Sequence, residues 1–247
     1  MTKTKTLLVD ADITIHRAAL ACEEVICWDQ DEDRWTVTAD AREAKQRVDC
    51  EIRLYLDKLE ADKAILCFTA PNNFRLDVNP YYKSNRKKTR KPTIFPELRQ
   101  YCLDVYQCRV IDRLEADDVL GILATSRSIK GTKVIVSDDK DLLQIPGYVY
   151  RPTDGEVRKI TRKQADHWFL TQCLTGDSTD GYPGLPGCGP KGAEKILEVG
   201  VWDEVVQAYE KKGLSEMEAL IQARCARILR STEYNLRSNK LKLWSPK

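Results

Sequence analysis

The sequence predicts an α/β fold, with a mostly parallel central sheet flanked by helices and a helical segment after it. Three observations carry this. Short apolar runs of strand length (residues 4–10, 63–68, 108–111 and 133–137) are separated by stretches of helical period. Strands that alternate with helices pair in parallel, because the helix supplies the crossover. Past residue 160 the strand signals stop and the pattern is helical. The chain therefore divides into residues 1–160, an α/β unit, and 161–247, a helical unit.

Residues 4–10 read as a buried strand that ends in an acid, Asp10, with a helix following through Arg17. Val25–Trp28 and Arg34–Val37 read as a hairpin around an acidic turn. Residues 39–60 repeat apolar positions at helical spacing (Ala44, Val48, Ile52, Leu56, Leu59), and 63–68 form the second strand. Residues 70–96 break the pattern with Asn72, Asn73, Pro80, Pro92 and Pro96, and are expected to be exposed. A helix over 97–106, a strand at 108–111, a helix over 115–129 and strands at 133–137 and 147–151 complete the sheet, the last of these being its final strand.

Composition narrows the function classes. The 247 residues are 42% hydrophobic and 32% charged, as in a soluble globular protein able to bury a substantial core. No apolar run approaches the roughly 20 residues that span a bilayer. The N-terminus lacks the apolar region and cleavage site of a signal peptide. An intracellular, cytoplasmic protein without membrane contact is expected. The nine cysteines are scattered without a C-x-x-C pair, which suits free thiols in a reducing compartment better than zinc ligation. Net charge is only +2, yet Lys83, Arg86, Lys87, Lys88, Arg90 and Lys91 form a basic run while carboxylates cluster elsewhere. Separated patches of this kind can hold a polyanion at one and metal ions at the other.

The carboxylates recur at one kind of place. Asp10 ends a strand; Glu115, Asp117 and Asp118 open a helix; Asp139 and Asp141 follow the strand at 133–137. In a parallel sheet these ends share one edge, where functional groups collect. Gathered acids raise one another's pKa or take a cation, and hard oxygen donors suit Mg²⁺ or Mn²⁺. Singly, Asp10 is also a turn or N-cap aspartate, and the Glu115 cluster is also a helix start favoured by the dipole. Farther on, Asp177 and Asp180 precede a loop containing Gly184, Gly187 and Gly189, which leads into a helix bearing Lys191 and Lys195. Such a loop is either an interhelical turn or a phosphate cradle, since glycines let backbone amides approach an anion. Tyr82 and its neighbour Tyr81 precede Lys83, and aromatics beside a basic run suit unpaired bases.

Five of these pieces, in order, resemble the flap endonuclease/5′-nuclease superfamily, most like bacteriophage 5′-to-3′ exonucleases and the 5′-nuclease domain of bacterial DNA polymerase I. They are Leu7-Leu8-Val9-Asp10 with Arg17; Tyr82-Lys83-Ser84-Asn85-Arg86; Glu115-Ala116-Asp117-Asp118; Ser137-Asp138-Asp139-Lys140-Asp141; and Gly176-Asp177-Ser178-Thr179-Asp180 with the glycine-proline loop after it. The resemblance covers about residues 4–200 and departs once. The family's usual Phe-Asp reads Phe68-Thr69 here, which leaves Asp12 or a water to fill the place.

The resemblance implies a PIN-like nuclease core, a helical arch over 70–96, and a helix–three-turn–helix motif at 176–198. It implies a metal-dependent 5′-to-3′ exonuclease and 5′-flap endonuclease working by a two-metal mechanism with two Mg²⁺, or Mn²⁺ in their place. Asp10, Glu115, Asp117 and Asp139 would serve one ion, and Asp141, Asp177 and Asp180 would bind or orient the other, with Asp118 among the metal-binding acids. Lys83, Arg86 and Arg17 would act at the scissile strand. Tyr82, Lys83, Arg86, Lys87, Lys88, Gly184, Gly187, Gly189, Lys191 and Lys195 would contact DNA, with K⁺ at the helix–three-turn–helix loop. Implied partners are duplex DNA with 5′ ends, nicks, gaps or flaps, and RNA–DNA hybrid as a second substrate, acted on by a monomer. Two rivals remain: a catalytically weak structure-specific DNA-binding protein, motivated by Thr69, and a PIN-type ribonuclease, which generally lacks the glycine-proline loop.

Overall fold

A computed structural model of the chain describes residues 4–31, 34–85 and 90–246. Arg86, Lys87 and Lys88 lie outside the described residues.

Among these residues the central sheet has six strands, in the order β5-β4-β1-β6-β7-β8. They are β1 (Lys5–Asp10), β4 (Lys63–Phe68), β5 (Cys108–Val110), β6 (Thr132–Val136), β7 (Gly147–Arg151) and β8 (Glu156–Ile160). All neighbours pair in parallel except β7 and β8. β1 lies at the centre because it is apolar on both faces. Leu7 and Val9 point into one core with Leu66, Phe68, Val134 and Val136, while Leu8 points into the other with Ile65, Cys67 and Ile135. The first face is covered by α1 (Ala11–Ala21), α2 (Ala41–Lys58) and α4 (Phe95–Val105). The second is covered by α5 (Ala116–Thr125) and by Ile228, Leu229 and Tyr234 from the C-terminal part.

Register decides where the acids emerge. Asp10 of β1 is opposite Cys67 of β4, and Val9 is opposite Val136 of β6. Asp10, Thr69 and Ser137 therefore leave the sheet together at its carboxyl edge, and α5 begins there too.

The hairpin of β2 (Glu23–Asp29) and β3 (Arg34–Ala39) forms as the sequence predicts. Three features differ. β7 is not the last strand, because β8 returns antiparallel from a turn at Gly155, whose φ is +70°. Its charged residues Glu156, Arg158 and Lys159 hid it from a search for apolar runs, and they suit an edge strand. α5 stops at Thr125 rather than 129, where Ser126 leaves the helix and its hydroxyl accepts from Ser128 N at 3.0 Å. The region past 160 also holds two short strands, β9 (Tyr234–Asn235) and β10 (Lys240–Leu241).

The helices α6 (Arg162–Thr175), α7 (Pro190–Ile196), α8 (Trp202–Glu210) and α9 (Glu216–Ala226) enclose a third core of Phe169, Cys173, Leu174, Val205, Tyr209 and Ala219. Segment 70–96 is only partly exposed. Among the described residues it holds one helical turn, α3 (Arg75–Val78), and the start of α4 at Phe95, and Phe74, Arg75 and Tyr82 are buried. The arginine and tyrosine go inside because the chain supplies partners for their polar atoms.

Candidate active site

Asp10 does two things. Its Oδ1 caps α1 by accepting from Ile13 N, and its Oδ2 accepts from Ser137 Oγ at 2.9 Å. Burial, then the neighbouring Asp12, push its pKa up to about 7 despite these bonds. Ser137 Oγ in turn accepts from Asp139 N, and Asp139 Oδ1 accepts from Asp141 N at 2.8 Å. Asp141 receives Gln172 Nε2 at 2.7 Å, and burial followed by Asp139 and Asp177 lifts its pKa to about 7. For Asp117, burial followed by Asp10, Asp139 and Glu115 pushes the pKa well up. Asp10, Asp117, Asp139, Asp141 and Asp177 thus lie within one electrostatic neighbourhood, drawn from the ends of β1 and β6, the first turn of α5 and the turn after α6.

Glu115 behaves oppositely. Lys83 Nζ reaches its Oε1 at 2.5 Å, while Arg75 and the Tyr82 hydroxyl reach its Oε2 at 3.2 and 2.9 Å. Burial works against the charged form, but Lys83 and Arg75 outweigh it and hold Glu115 at about 2. Asp180 joins the same group: Tyr82 Oη donates to its Oδ2 at 3.0 Å, and Lys83 Nζ stands 3.4 Å away. Asp177 Oδ1 accepts from the Thr179 and Asp180 amides, which turns the chain so that Asp180 faces Lys83. Lys83 has a left-handed backbone, φ +54°, fixed by its N–H donating to Asp180 O at 2.8 Å.

The structure corrects several site assignments. Asp118 is fully buried, and Arg75 grips both its oxygens at 2.7 and 2.8 Å while Leu229 N donates to Oδ1. It is a structural anion rather than a metal ligand. Tyr82 is 4% exposed, with the Lys83 ammonium 5.1 Å and the Arg75 guanidinium 5.6 Å from its ring centroid, so no base can stack on it. Gly184 is buried back to back with Gly176, where a Cβ would lie 2.3 Å from Gly176 N. Its glycine serves chain packing, not a phosphate. Gly187 and Gly189 face open space, and Lys191 and Lys195 are exposed beyond them. Arg17 pairs with Asp138 at 2.9 Å. Sequence reasoning missed Arg75, Gln172 and Gln144, polar residues in otherwise apolar surroundings whose partners are distant in sequence.

Thr69, where the sequence departs from its resemblance, has a local role. Its Oγ1 accepts from Ala116 N at 3.0 Å and so caps the helix that carries Asp117. Asp12 does not stand free beside it: Thr69 N donates to Asp12 Oδ2 at 2.8 Å, and Arg99 bridges Asp12 and Thr69 O. Thr69→Val keeps the shape and removes the acceptor. We expect it to cost about 1 kcal/mol, the usual worth of an N-cap, as a fall in the urea midpoint at unchanged m-value. No shift of the midpoint would show that the bond contributes nothing.

Among the described residues, no three His, Cys, Asp or Glu side chains are gathered closely enough to hold a metal ion as placed. Lys83 and Arg75 engage the Glu115 carboxylate. The donor set nonetheless fits a divalent cation: it is all hard oxygen, and burial together with neighbouring carboxylates pushes Asp10, Asp117 and Asp141 upward.

This crowding has a measurable sign. Asp10 and Asp141 titrate at about 7 in the fold against an ordinary 3.8, so between those values the native state holds protons that the unfolded chain has lost. Stability of the metal-free protein therefore falls as pH rises through that window. Glu115, held at about 2 against an ordinary 4.5, adds stability as pH rises through the lower part of that window and is ionised in both states by pH 6, so it leaves the trend above pH 6 unchanged. In EDTA the Tm should be lower at pH 8 than at pH 6, and Mg²⁺ should raise it more at pH 8. A higher metal-free Tm at pH 8 would contradict the crowding.

Comparison with known proteins identifies the family. Residues 5–167 match the family model described as 5′-3′ exonuclease, N-terminal resolvase-like domain. The chain is 31% identical to the exodeoxyribonuclease of Enterobacteria phage T3, covering 98% of this chain and 93% of that protein. It is also 31% identical to the exonuclease of Escherichia phage T7, over 97% and 93% respectively. Its fold is similar to that of the bacteriophage T5 D15 flap endonuclease, solved as a pseudo-enzyme-product complex with DNA and metal ions, at a TM-score of 0.68, 14% identity and coverage of 92% and 90%. No helix among the described residues is long and apolar enough to cross a membrane. With its sheet-edge acids, its glycine loop and this full-length likeness, the chain belongs to the 5′-3′ exonuclease family.

Proposed function

We propose that the protein is a divalent-metal-dependent nuclease that hydrolyses phosphodiester bonds near the 5′ ends of duplex DNA, as an exonuclease and at 5′ flaps. The observation that carries this is the row of carboxylates at the sheet edge facing Lys83. Asp10, Asp117, Asp139 and Glu115 would hold one Mg²⁺ or Mn²⁺, and Asp141, Asp177 and Asp180 a second, directly or through water. When bound, a pair of such ions stabilises the charge on the attacking and leaving oxygens of an in-line displacement.

The chain's own residues supply the rest. Lys83, its backbone locked to Asp180, carries the counter-charge for a phosphate brought against the acids. Gln172 orients Asp141, and Ser137 orients both Asp10 and the turn at Asp139. The amides around Gly187 and Gly189, with Lys191 and Lys195, would hold a duplex backbone without reading bases, with K⁺ as a ligand of the same loop. The related T5 enzyme's complex with DNA and metal ions supports this reading.

The experiment is a 5′-labelled flap and a nicked duplex incubated with Mg²⁺, then with EDTA. Metal-dependent release of short 5′ products is expected; its absence under any divalent ion sinks the proposal. Two observations favour a second reading, a weakly catalytic DNA-binding protein: Lys83 is closed onto Glu115, and Thr69 stands where the family usually has an acid. Tight metal-independent binding without cleavage would select it. Including RNA–DNA hybrid in the panel sets the breadth of substrate.

A further inference from the structure

The chain after α9 carries charge that the acid row does not use. From Asn235 to Lys242 it has three cations, Arg237, Lys240 and Lys242, and no acid. This stretch makes up most of the β9–β10 hairpin, which stands against the end of α5 and, with Arg127, lines an open cavity of about 830 Å³. All four cations are exposed. The one acid of the lining, Glu233, is buried and already engaged: its Oε1 accepts from Arg227 Nε at 3.0 Å and its Oε2 from Arg230 N at 2.8 Å. Among the described residues of the lining, the four like charges therefore meet no carboxylate that is not paired elsewhere, which makes the cavity a place for an anion. Its wall is also held in shape. Asn235 Oδ1 accepts from the Arg237 and Ser238 amides at 2.9 and 3.2 Å, which fixes the hairpin tip. Ser231 N and Oγ donate to Thr125 Oγ1 and O at 2.8 and 3.0 Å, which pins the approach to the hairpin onto α5.

We propose that this cavity is a further contact for duplex DNA, apart from the glycine loop, and that it holds the phosphate backbone of a substrate arm beyond the acid row. The proposal rests on the nuclease reading above. Three features select a duplex backbone. Exposed cations, with the Ser126 and Ser128 hydroxyls beside them, hold phosphates without reading bases. The aromatic ring in the lining, Tyr234, is 6% exposed and donates to Asn239 Oδ1 at 3.4 Å, so the bases of a single strand find no platform there. The spacing also suits. α5 begins at the acid row and ends at the cavity, and its 10 residues span about 15 Å. At roughly 3.4 Å per step of one strand, a duplex backbone covers that distance in about five nucleotides. The fixed wall leaves little ordering to be done on binding.

The consequence is specific: the cavity contributes only when a duplex arm is long enough to reach it. DNA binding would be measured in EDTA over about 50 to 200 mM salt. Three proteins would be compared: wild type, the double variant Arg237→Gln/Lys240→Gln, and the control Arg42→Gln/Arg53→Gln. The control removes the same charge from exposed side chains of α2, on the opposite face of the sheet. The substrates would carry duplex arms of graded length, each closed by a hairpin loop so that the shortest stay paired. On long arms the cavity variant should bind more weakly, with the slope of log affinity against log salt shallower by about two, one for each phosphate contact removed. On arms too short to reach, and on single strands, its slope should equal that of the wild type. The control should match the wild type throughout. A cavity variant with the wild-type slope on long arms overturns the proposal, and so does a control that falls as far. A fall of the same size on single strands overturns it too, by assigning the cavity to unpaired DNA. Binding in EDTA reads the cavity without catalysis, so magnesium-dependent cleavage of the same flap by the wild type tests the nuclease reading separately.

Discussion

Asp117→Asn should abolish cleavage, lowering the single-turnover rate on the order of a thousandfold or more, and leave DNA binding nearly intact. Asp117 begins the first turn of α5, held in place by the Thr69 cap on Ala116 N and by the burial of Val119 and Leu120 behind it. Its carboxylate lies among Asp10, Asp139 and Glu115, which together with burial push its pKa well above the ordinary value. In the metal-free protein that charge opposes folding. The same substitution should therefore raise the Tm in EDTA at pH 8 while it removes activity, as expected where a site is built against stability. An inactive variant that also melts earlier would point to a structural role for Asp117. An active one would show the metal site to be misplaced.

The largest effect on stability is expected at Arg75. Its guanidinium is buried and donates to both oxygens of Asp118, to Glu115 Oε2, to Cys225 O at 2.9 Å and to Arg227 O at 2.6 Å. Burial works against its charge, but Asp118 more than compensates and pushes the arginine's pKa well above its ordinary value. Arg75→Ala would strand the Asp118 carboxylate in the core and leave two carbonyls without their donor. Removing one partner of such a pair costs about 3–5 kcal/mol. Urea unfolding of the metal-free protein measures this, and a loss under about 1 kcal/mol would falsify the assignment. The double replacement Arg75→Met with Asp118→Leu should recover much of the loss, since a buried ion pair and an apolar pair of similar volume are close in free energy.

The sheet and most of the acids were legible because they are local signals. An apolar strand followed by an aspartate states both its burial and its edge, and Asp10, Asp117, Asp139 and Asp141 all come to one place. Illegible were the residues whose meaning depends on a remote partner. Asp118 and Asp117 are adjacent letters, and only the arginine 43 residues upstream of Asp118 distinguishes the acid locked in the core from the one left among Asp10 and Asp139. Tyr82 poses the same problem: the sequence reads it as a DNA contact, and the carboxylates of Glu115 and Asp180 hold it inside. β8 went unseen for a different reason, since a charged edge strand carries no apolar run.

The segment from Cys225 to Arg230 passes over α5 at Gly121, where a Cβ would meet Leu229 O at 2.4 Å. Along that crossing its backbone is bonded to both halves of the acid row. Cys225 O, Arg227 O and Leu229 N engage Arg75 and Asp118. Ala226 O and Ile228 N engage Gln144, which holds Gln172 and through it Asp141. A ribosome makes these residues more than a hundred positions after Asp118. Until they emerge, Arg75 and Asp118 have each other but not the backbone groups of this segment, and Gln144 lacks Ala226 O and Ile228 N. The nascent chain thus carries every carboxylate of the site well before it can hold them in position.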